Sequence, residues 1–319
     1  MNLKTKVAVG LSKVLHFTLK NMPQEKIDYI LDVKKAGQKY EGLDVYDYDI
    51  LPNENLENIE FYIFAVSNHS LQAIIERLLS FGVEKKQIFL YSDLFRNSFK
   101  EKIKSYFSKE ASIDLYDFSK KETLNSELSV HTTICGSWLF LEALEATKDV
   151  TGNIAEVGCF EGGNMLLALK SSLIPEDKTV YLFDSFDGFP ELTEFDPESF
   201  SKGDYKPTKD LQTINAKFEK YKNVKIIPGF VPETFSELDD SEKYSLIFFD
   251  CDLYQPCLDT LNYFWSKLTK GGIILLHDYF YEPGGFSGVE KATHEFCQAH
   301  NISPFGIWES TMAVLRKEH

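Results

Sequence analysis

The sequence predicts an α/β protein with two domains, each built on a mostly parallel sheet. Apolar runs of strand length alternate with amphipathic helical patterns, which is typical of parallel sheets. The chain has 319 residues, more than one compact core usually contains, so two domains are expected. The apolar runs at 244–254 and 271–279 end abruptly in acidic residues, and fully apolar strands of this kind are buried on both faces.

The first domain, residues 1–96, is expected to have a small Rossmann-like layout. Its predicted strands and helices are strands at 7–10, 27–31, 61–66 and 87–91, and helices at about 11–19 and 71–81. Asp32 follows the second strand, where an acid often binds a ribose. The first turn offers only Gly10, however, where pyrophosphate binding requires three glycines. A scaffold or partner-docking role is therefore favoured over nucleotide binding.

Residues 97–132 are polar and rich in Lys, Glu and Ser, which predicts a helical linker. The second domain, residues 133–319, is predicted to begin with a helix through Trp138 and Leu144. Strands are then expected at 153–158, 179–184, 224–227, 244–250, 271–277 and 311–316. The last of these is expected to be antiparallel, at the edge of the sheet.

A glycine loop follows the first strand of the second domain. It has the pattern Glu-x-Gly-x-x-x-Gly-Gly over residues 156–163, and Phe160 occupies the position that a dinucleotide-binding loop needs empty. No lysine stands where a P-loop requires one, so nucleoside triphosphates are disfavoured. The next strand ends in Asp184, whose carboxylate suits a ribose diol. Backbone N–H groups with nearby acids fit S-adenosylmethionine, and a tight turn with a core glutamate is the alternative.

Acidic residues close two apolar strands later in the chain. Asp250 and Asp252 follow the first of these strands, and His277 and Asp278 follow the second. If the strands are neighbours, their carboxyl ends meet at one edge of the sheet, and three carboxylates converge there with an imidazole. Such a concentration of acids requires a metal ion or a cationic ligand.

From about residue 152 to 317 the chain resembles the macrocin-type sugar O-methyltransferases, a metal-dependent family that uses S-adenosylmethionine. Four stretches carry the resemblance: Ile-Ala-Glu-Val-Gly-Cys-Phe-Glu-Gly-Gly at 154–163, Leu-Phe-Asp-Ser-Phe-Asp-Gly-Phe-Pro at 182–190, Phe-Asp-Cys-Asp-Leu-Tyr at 249–254, and Gly-Gly through His-Asp-Tyr at 271–279. The resemblance implies a class I methyltransferase Rossmann-like domain with an antiparallel edge strand. It also implies that Asp252 is the general base and that residues 186–210 form a mobile lid.

The resemblance further implies a cofactor site and a metal site. The expected S-adenosylmethionine residues are Glu156, Gly158, Phe160, Gly162, Gly163, Asp184, Ser185, Gly229 and Asp250, with Asp184 on the ribose. The expected ligands of a divalent metal, magnesium or manganese, are Asp250, His277 and Asp278. His277 departs from the family, which commonly has two acids here, and imidazole suits Mn²⁺ or Zn²⁺ better than Mg²⁺. His277 as a ligand, His277 as a base or hydrogen-bond donor, and a loss of metal dependence are therefore three open alternatives.

The expected reaction is O-methylation of a sugar or polyol hydroxyl on a small molecule or glycan. One alternative is a metal-dependent glycosyltransferase that uses the motif Asp250-Cys251-Asp252, and another is a non-catalytic methyltransferase-like binding protein. The net charge of −15 argues against nucleic acid as a partner, and no apolar run approaches the length of a membrane span. Five cysteines without metal-ligand spacing are typical of a reduced, cytoplasmic protein. A homo-oligomer is left open.

Two further segments are assigned on composition. Residues 280–288 contain Gly284, Gly285 and Gly288 and are predicted to form a flexible loop on the acceptor side. The acids within 191–210 are expected to lie on a solvated face of the lid.

Overall fold

The fold is that of a computed structural model, which describes residues 4–22, 26–65, 68–125, 127–280 and 288–318. The chain divides into two compact units, Met1–Lys100 and Glu101–His319. Within the described ranges, no helix has both the length and the apolar character needed to cross a membrane. All five cysteines are free. The glycine-rich loop predicted at 280–288 lies, apart from its two ends, outside the described residues.

The first unit contains a six-stranded sheet. Its strands are β1 (Thr5–Val9), β2 (Tyr29–Leu31), β3 (Lys39–Tyr40), β4 (Leu43–Tyr46), β5 (Ile59–Ile63) and β6 (Ile88–Leu90), and its helices are α1 (Lys13–Asn21), α2 (Asn68–Ser80) and the beginning of α3 (Tyr91–Phe107). The strand order is β3-β4-β2-β1-β5-β6, and all neighbours are parallel except β3 and β4. The four predicted strands are present, with ends shifted by at most three residues. The pair β3–β4 was not predicted because its strands are too short to show a hydrophobic period.

Asp32, directly after β2, binds the backbone of its own surroundings. Its Oδ2 accepts a hydrogen bond from the N–H of Leu11 at 3.2 Å. Its Oδ1 accepts from the N–H groups of Lys34 and Lys35 at 2.9 and 3.1 Å. These three bonds satisfy donors in the turns that follow β1 and β2, so the carboxylate has a structural role in this unit.

The second unit contains a seven-stranded sheet. Its strands are β7 (Asn153–Val157), β8 (Val180–Asp184), β9 (Val224–Pro228), β10 (Tyr244–Phe249), β11 (Leu268–Leu276), β12 (Phe305–Ile307) and β13 (Met312–Arg316). Its helices are α4 (Ile113–Thr123), α5 (Ile134–Thr147), α6 (Gly163–Lys170), α7 (Leu211–Phe218), α8 (Tyr254–Lys267) and α9 (Gly288–His300). The predicted linker region therefore holds α4 and the end of α3.

The strand order of this sheet is β12-β13-β11-β10-β7-β8-β9. Strand β13 runs antiparallel to both of its neighbours, and the pairs from β11 to β9 are parallel. The predicted mostly parallel sheet with an antiparallel strand is confirmed. The predicted edge position of that strand needs correction, because β12 lies outside β13. With only three residues, β12 is too short to recognise as an apolar run.

The centre of the second sheet positions the acidic strand ends. Every residue of β10 is buried, as expected for a strand covered by helices on both faces. Phe249 at the end of β10 lies opposite Val157 of β7 and Leu276 of β11. The carboxyl ends of β7, β10 and β11 therefore lie next to one another at the same edge of the sheet. The order of connection reverses between β7 and β10, and such a reversal creates the crevice in which α/β sheets bind ligands.

Candidate functional site

The glycine loop connects β7 to α6 and lies against the loop after β10. Gly158 has a φ of 89°, in the left-handed region that favours glycine. A Cβ atom at Gly158 would lie 2.3 Å from the backbone oxygen of Asp250, closer than real Cβ atoms approach. The two loops are therefore in direct backbone contact. The Gly162-Gly163 pair is equally crowded, since Cβ atoms there would lie 2.5 Å from the Phe218 ring and 2.1 Å from the Ser129 oxygen.

Asp184, at the end of β8, organises this loop. Its Oδ2 accepts the N–H of Phe160 at 2.8 Å and its Oδ1 accepts the N–H of Phe186 at 2.7 Å. Both phenylalanines have positive φ angles, 49° and 53°, which cost energy for residues other than glycine. The N–H of Gly229 donates to the backbone oxygen of Asp184 at 2.8 Å. Three loops that carry predicted cofactor residues thus meet at Asp184.

The carboxyl of Asp184 is largely withdrawn from water. Burial raises the pKa of Asp184, and the N–H donors of Phe186 and Phe160 offset part of this rise. A carboxylate has about four lone-pair positions, two on each oxygen, and the two N–H donors leave capacity for further donors. Asp184 can therefore bind a diol in addition to the loop.

Two other predicted cofactor residues differ from Asp184 in their surroundings. The hydroxyl of Ser185 donates to the backbone oxygen of Gly188 at 2.9 Å and accepts the N–H of Asp187 at 3.1 Å. Glu156 is fully buried, and neither of its carboxyl oxygens has a hydrogen-bond partner among the described residues. Burial raises the pKa of Glu156 well above its ordinary value, and the charge of Asp250 raises it further. A buried carboxyl without a partner is expected to be neutral.

The acidic strand ends meet around His277. Its Nδ1 lies 2.7 Å from Oδ1 of Asp250 and 2.7 Å from Oδ2 of Asp278. Its Nε2 lies 3.4 Å from Oγ1 of Thr311, whose hydroxyl proton is donated to the backbone oxygen of Ser310 at 2.6 Å. Burial by itself lowers the pKa of His277, but the carboxylates of Asp250 and Asp278 raise it, to about 10. An imidazolium that donates through both nitrogens accounts for these three distances.

Asp252 extends the cluster through a hydrogen bond between its carboxyl group and that of Asp278. Burial raises the pKa of Asp252 well above its ordinary value, and the charge of Asp278 raises it further. Two acids in such contact share a proton. Asp252 and Asp278 also have positive φ angles, 60° and 51°. Backbone conformations of this kind concentrate at functional sites, where the surrounding structure maintains them.

The cluster has the composition of a metal site. Asp250, His277 and Asp278 each offer one ligand atom, and these atoms lie within 4.8 Å of one another. Two carboxylate oxygens with one imidazole nitrogen form a donor set that suits Mn²⁺ or Zn²⁺ better than Mg²⁺. The residues present therefore fit a divalent cation. Such an ion and the proton on Nδ1 of His277 compete for the same lone pair.

Asn164, which was not predicted as a site residue, joins the glycine loop to the acidic cluster. It is the second residue of α6 and is 6% exposed. Its Nδ2 donates to Oδ2 of Asp250 at 3.2 Å. The sequence does contain a signal for it, since Asn164 directly follows the two glycines that open the helix facing the ligand crevice.

His131 is a second residue near the site that was not predicted. Its ring packs edge-on against the ring of Phe160, with centroids 4.7 Å apart. Partial burial lowers the pKa of His131, and the charges of Asp250 and Glu161 offset part of the change. His131 therefore lies beside the glycine loop, within electrostatic reach of the cluster.

The predicted lid, residues 186–210, is tied to the rest of the unit at its C-terminal end by Glu161. The buried carboxylate of Glu161 accepts the hydroxyl of Thr208 at 2.8 Å and pairs with Lys209 at 2.7 Å. Burial alone would raise the pKa of Glu161, but the hydrogen bonds and charges of its partners lower it to about 2. Lys217 of α7 adds a bond to the backbone oxygen of Glu161 at 2.8 Å.

A second attachment corrects one prediction. Asp196 was expected on a solvated face, but it is buried. Its Oδ1 accepts the N–H of Tyr254, the first residue of α8, at 2.7 Å, and its Oδ2 accepts the N–H of Thr193 at 2.7 Å. The expectation failed because a free N–H at a helix start is a strong partner for an acid, and the sequence does not show which acid reaches it.

Comparisons with known proteins identify similar chains. Residues 140–316 match the family described as Macrocin-O-methyltransferase (TylF). The chain is 27% identical over 168 residues to mycinamicin III 3''-O-methyltransferase of Micromonospora griseorubida, which covers 48% of this chain and 63% of that protein. It is 25% identical over 166 residues to 8-demethyl-8-(2,3-dimethoxy-alpha-L-rhamnosyl)-tetracenomycin-C 4'-O-methyltransferase of Streptomyces olivaceus, which covers 48% of this chain and 61% of that protein. The chain thus spans less than two thirds of the length of these curated relatives.

The fold also has a solved counterpart, the O-methyltransferase NovP. Its structure superposes with a TM-score of 0.50 at 19% sequence identity, covering 72% of this chain and all of that chain. This likeness confirms the predicted methyltransferase Rossmann-like fold. The family match extends over more than half of the chain and contains the glycine loop, Asp184 and the acidic cluster. The chain therefore belongs to the macrocin-O-methyltransferase family.

Proposed function

We propose that the protein is an S-adenosylmethionine-dependent O-methyltransferase that methylates a sugar or polyol hydroxyl with the assistance of a divalent metal. The observation that carries the proposal is the meeting of Asp250, Asp252, His277 and Asp278 directly beside a glycine loop held by Asp184. The family match supports the reaction, and it argues against the glycosyltransferase alternative. One relative is named for the 4' oxygen of a rhamnosyl group, which supports a sugar as acceptor.

The proposed cofactor site lies between the glycine loop and the ends of β8 and β9. S-adenosylmethionine would supply a methyl group already activated on a sulfonium centre. Asp184 would accept the ribose hydroxyls on its remaining lone pairs. The full set of proposed cofactor residues is Glu156, Gly158, Phe160, Gly162, Gly163, Asp184, Ser185, Gly229 and Asp250. The side chain of Glu156 is buried, so we place it beneath the loop.

The proposed chemistry at the acceptor requires removal of a hydroxyl proton. Asp250, His277 and Asp278 would hold the metal, which would lower the pKa of the acceptor hydroxyl and orient its oxygen. Asp252 would take the proton, since it hydrogen-bonds to Asp278 and can pass charge within that pair. Each carboxyl of the pair ionises more readily beside a cation, so Asp252 becomes available as a base in the loaded site. A cytoplasmic location stays a prediction.

The test is calorimetric titration of the protein with S-adenosylmethionine, first in EDTA and then with Mn²⁺ or Mg²⁺. We expect binding that the variant Asp184→Ala weakens at least tenfold, because the ribose loses its acceptor and the loop loses two hydrogen bonds. Asp32→Ala removes a strand-end acid from the other sheet and serves as the matched control. Failure of the wild-type protein to bind the cofactor with or without metal would contradict the proposal and would favour the non-catalytic alternative.

A further inference from the structure

We propose that Asn164 is a positioning residue that holds Asp250 in the orientation required by the cation site. Its amide fixes one oxygen of Asp250 and leaves the other directed at His277. The inference deepens the proposed function and rests on it for the role of the cluster. The contacts themselves are independent of any reaction.

The two oxygens of Asp250 have different partners on opposite sides. Oδ2 accepts from Nδ2 of Asn164 at 3.2 Å, and Oδ1 lies 2.7 Å from Nδ1 of His277. The backbone at Asp250 is fixed as well, because its N–H donates to the oxygen of Val157 at 2.8 Å. The remaining freedom of Asp250 is rotation of its side chain. The bond from Asn164 restricts that rotation, so Oδ1 stays available to the cluster.

The surroundings of Asn164 favour an amide over other side chains. Two carboxyl groups approach it, since it bonds to Asp250 and also lies close enough to Glu156 to lower the pKa of that buried group, against the larger effect of burial. An amide offers two donors and one acceptor without adding charge. A carboxylate at this position would repel Asp250, and an apolar group would leave Oδ2 of Asp250 without its donor. Oδ1 of Asn164 has no partner among the described residues.

Direct cofactor binding is the competing role, because Asn164 lies in the first turn of α6. The two roles predict different losses. A cofactor contact predicts weaker S-adenosylmethionine binding and an unchanged cation site. A positioning role predicts a changed environment of His277 and weaker cation binding, with cofactor affinity nearly retained.

The experiment compares Asn164→Ala, Asn164→Leu and the wild-type protein. Leucine has the same branched skeleton as asparagine, with as many side-chain heavy atoms, but no donor, so it separates loss of the hydrogen bond from loss of the side chain. Asn223→Ala is the matched control, since it removes an asparagine amide that donates to the backbone oxygen of Lys178 at 2.9 Å, outside the site. The readouts are the imidazole ¹⁵N and ¹H signals of His277 without metal, Mn²⁺ affinity by electron paramagnetic resonance, and S-adenosylmethionine affinity by calorimetry.

Both Asn164 variants are expected to shift the Nδ1 signals of His277 and to weaken Mn²⁺ binding about 10- to 100-fold, as is usual for residues that orient a metal ligand. Cofactor affinity is expected to change less than threefold, and Asn223→Ala should change none of the three readouts. Unchanged His277 signals in both variants would overturn the proposal, as would a loss of cofactor affinity as large as the loss of Mn²⁺ affinity. If the wild-type protein binds neither cofactor nor Mn²⁺, the proposed function fails, while the His277 signals still decide the role of Asn164.

Discussion

The carboxyl ends of the two sheets carry acids in comparable places but use them differently. In the first unit, Asp32 follows β2 and its carboxylate accepts hydrogen bonds from backbone N–H groups of the adjoining turns. In the second unit, Asp250, Asp252 and Asp278 follow β10 and β11 and face one another and an imidazole. The first arrangement satisfies a carboxylate within the fold. The second gathers three carboxyl groups around one imidazole, and we propose that a cation completes it.

This difference shows that an acid at a strand end is not by itself a sign of function. What distinguishes the two units is the identity of the partners. Backbone donors make a carboxylate part of a turn. Acidic partners and a raised pKa instead indicate a carboxylate that binds a ligand or transfers a proton. Asp184 combines both situations, because its carboxylate accepts two loop N–H groups and has further lone pairs that can accept hydrogen bonds from a ligand.

The largest effect is expected for Asp252→Asn. This change removes the proposed base and keeps the shape of the side chain, so kcat should fall about 10²- to 10⁴-fold. S-adenosylmethionine affinity should change less than threefold. Turnover would be measured with labelled cofactor and the best acceptor from a screen of sugars, with Asp32→Asn as the matched control. A kcat within threefold of the wild-type value would assign the base to another residue.

A stability effect of about 1–2 kcal/mol at pH 7 is expected for Glu161→Gln, since a buried charged hydrogen-bonding group is lost. Glu161 is the acid of the second unit that resembles Asp32, because neighbouring groups of the fold bind its carboxylate. Its substitution therefore tests the comparison within one unit. Its pKa is lowered from 4.5 to about 2 in the folded protein. The stabilisation is therefore fully present above pH 4.5 and is lost as the pH falls toward 2.

Urea unfolding of Glu161→Gln and the wild-type protein at several pH values would measure this effect. The difference in unfolding free energy between the two proteins should be constant from pH 7 to about pH 5 and should become smaller at lower pH. A difference that grows as the pH falls would contradict the assignment of Glu161 as an ionised, structural acid.

A change of roughly tenfold in metal preference is expected for His277→Asp. The substitution replaces the imidazole nitrogen with oxygen, so the ratio of Mg²⁺ affinity to Mn²⁺ affinity should rise. Calorimetric titration of both ions into both proteins gives the ratio directly. An unchanged ratio would remove His277 from the ligand set and leave it as a hydrogen-bond donor.

The smallest effect is expected for Asp32→Asn. The variant loses one acceptor oxygen, so the turns should open more easily. Their amide protons should exchange about fivefold faster, which corresponds to about 1 kcal/mol of opening free energy. Hydrogen exchange at Leu11, Lys34 and Lys35 measures this locally. Cofactor affinity should be unchanged. A tenfold loss of affinity would show that the first unit takes part in cofactor binding.

Much of this architecture could be predicted because it depends on local pattern. The apolar strands and the acids that end them are visible in a short stretch of sequence, and the rule that ligands bind at carboxyl ends then brings Asp250 and Asp278 together. The presence of His277 where the family commonly has an acid is also visible in the sequence. The position of β13 was predicted only in part, since its antiparallel direction was expected but the short edge strand β12 was not.

The missed residues are those whose partners lie far away in the chain. Asn164 and Asp250 are 86 positions apart, and no periodicity links an asparagine at a helix start to an acid at a strand end. Asp196 and Tyr254 are 58 positions apart, and any acid of the lid could have capped α8. Such pairs are selected by tertiary packing, which composition and spacing do not encode.

The missing side chain at Gly158 has a consequence for how this enzyme family can diversify. A single methyl group there would collide with the backbone of Asp250, so the glycine loop and the end of β10 are packed backbone against backbone. If the cofactor and the acceptor bind as proposed, moving either loop to admit a new acceptor would also disturb the cofactor. Redesign of acceptor specificity should therefore begin away from this contact, in the predicted lid at residues 186–210.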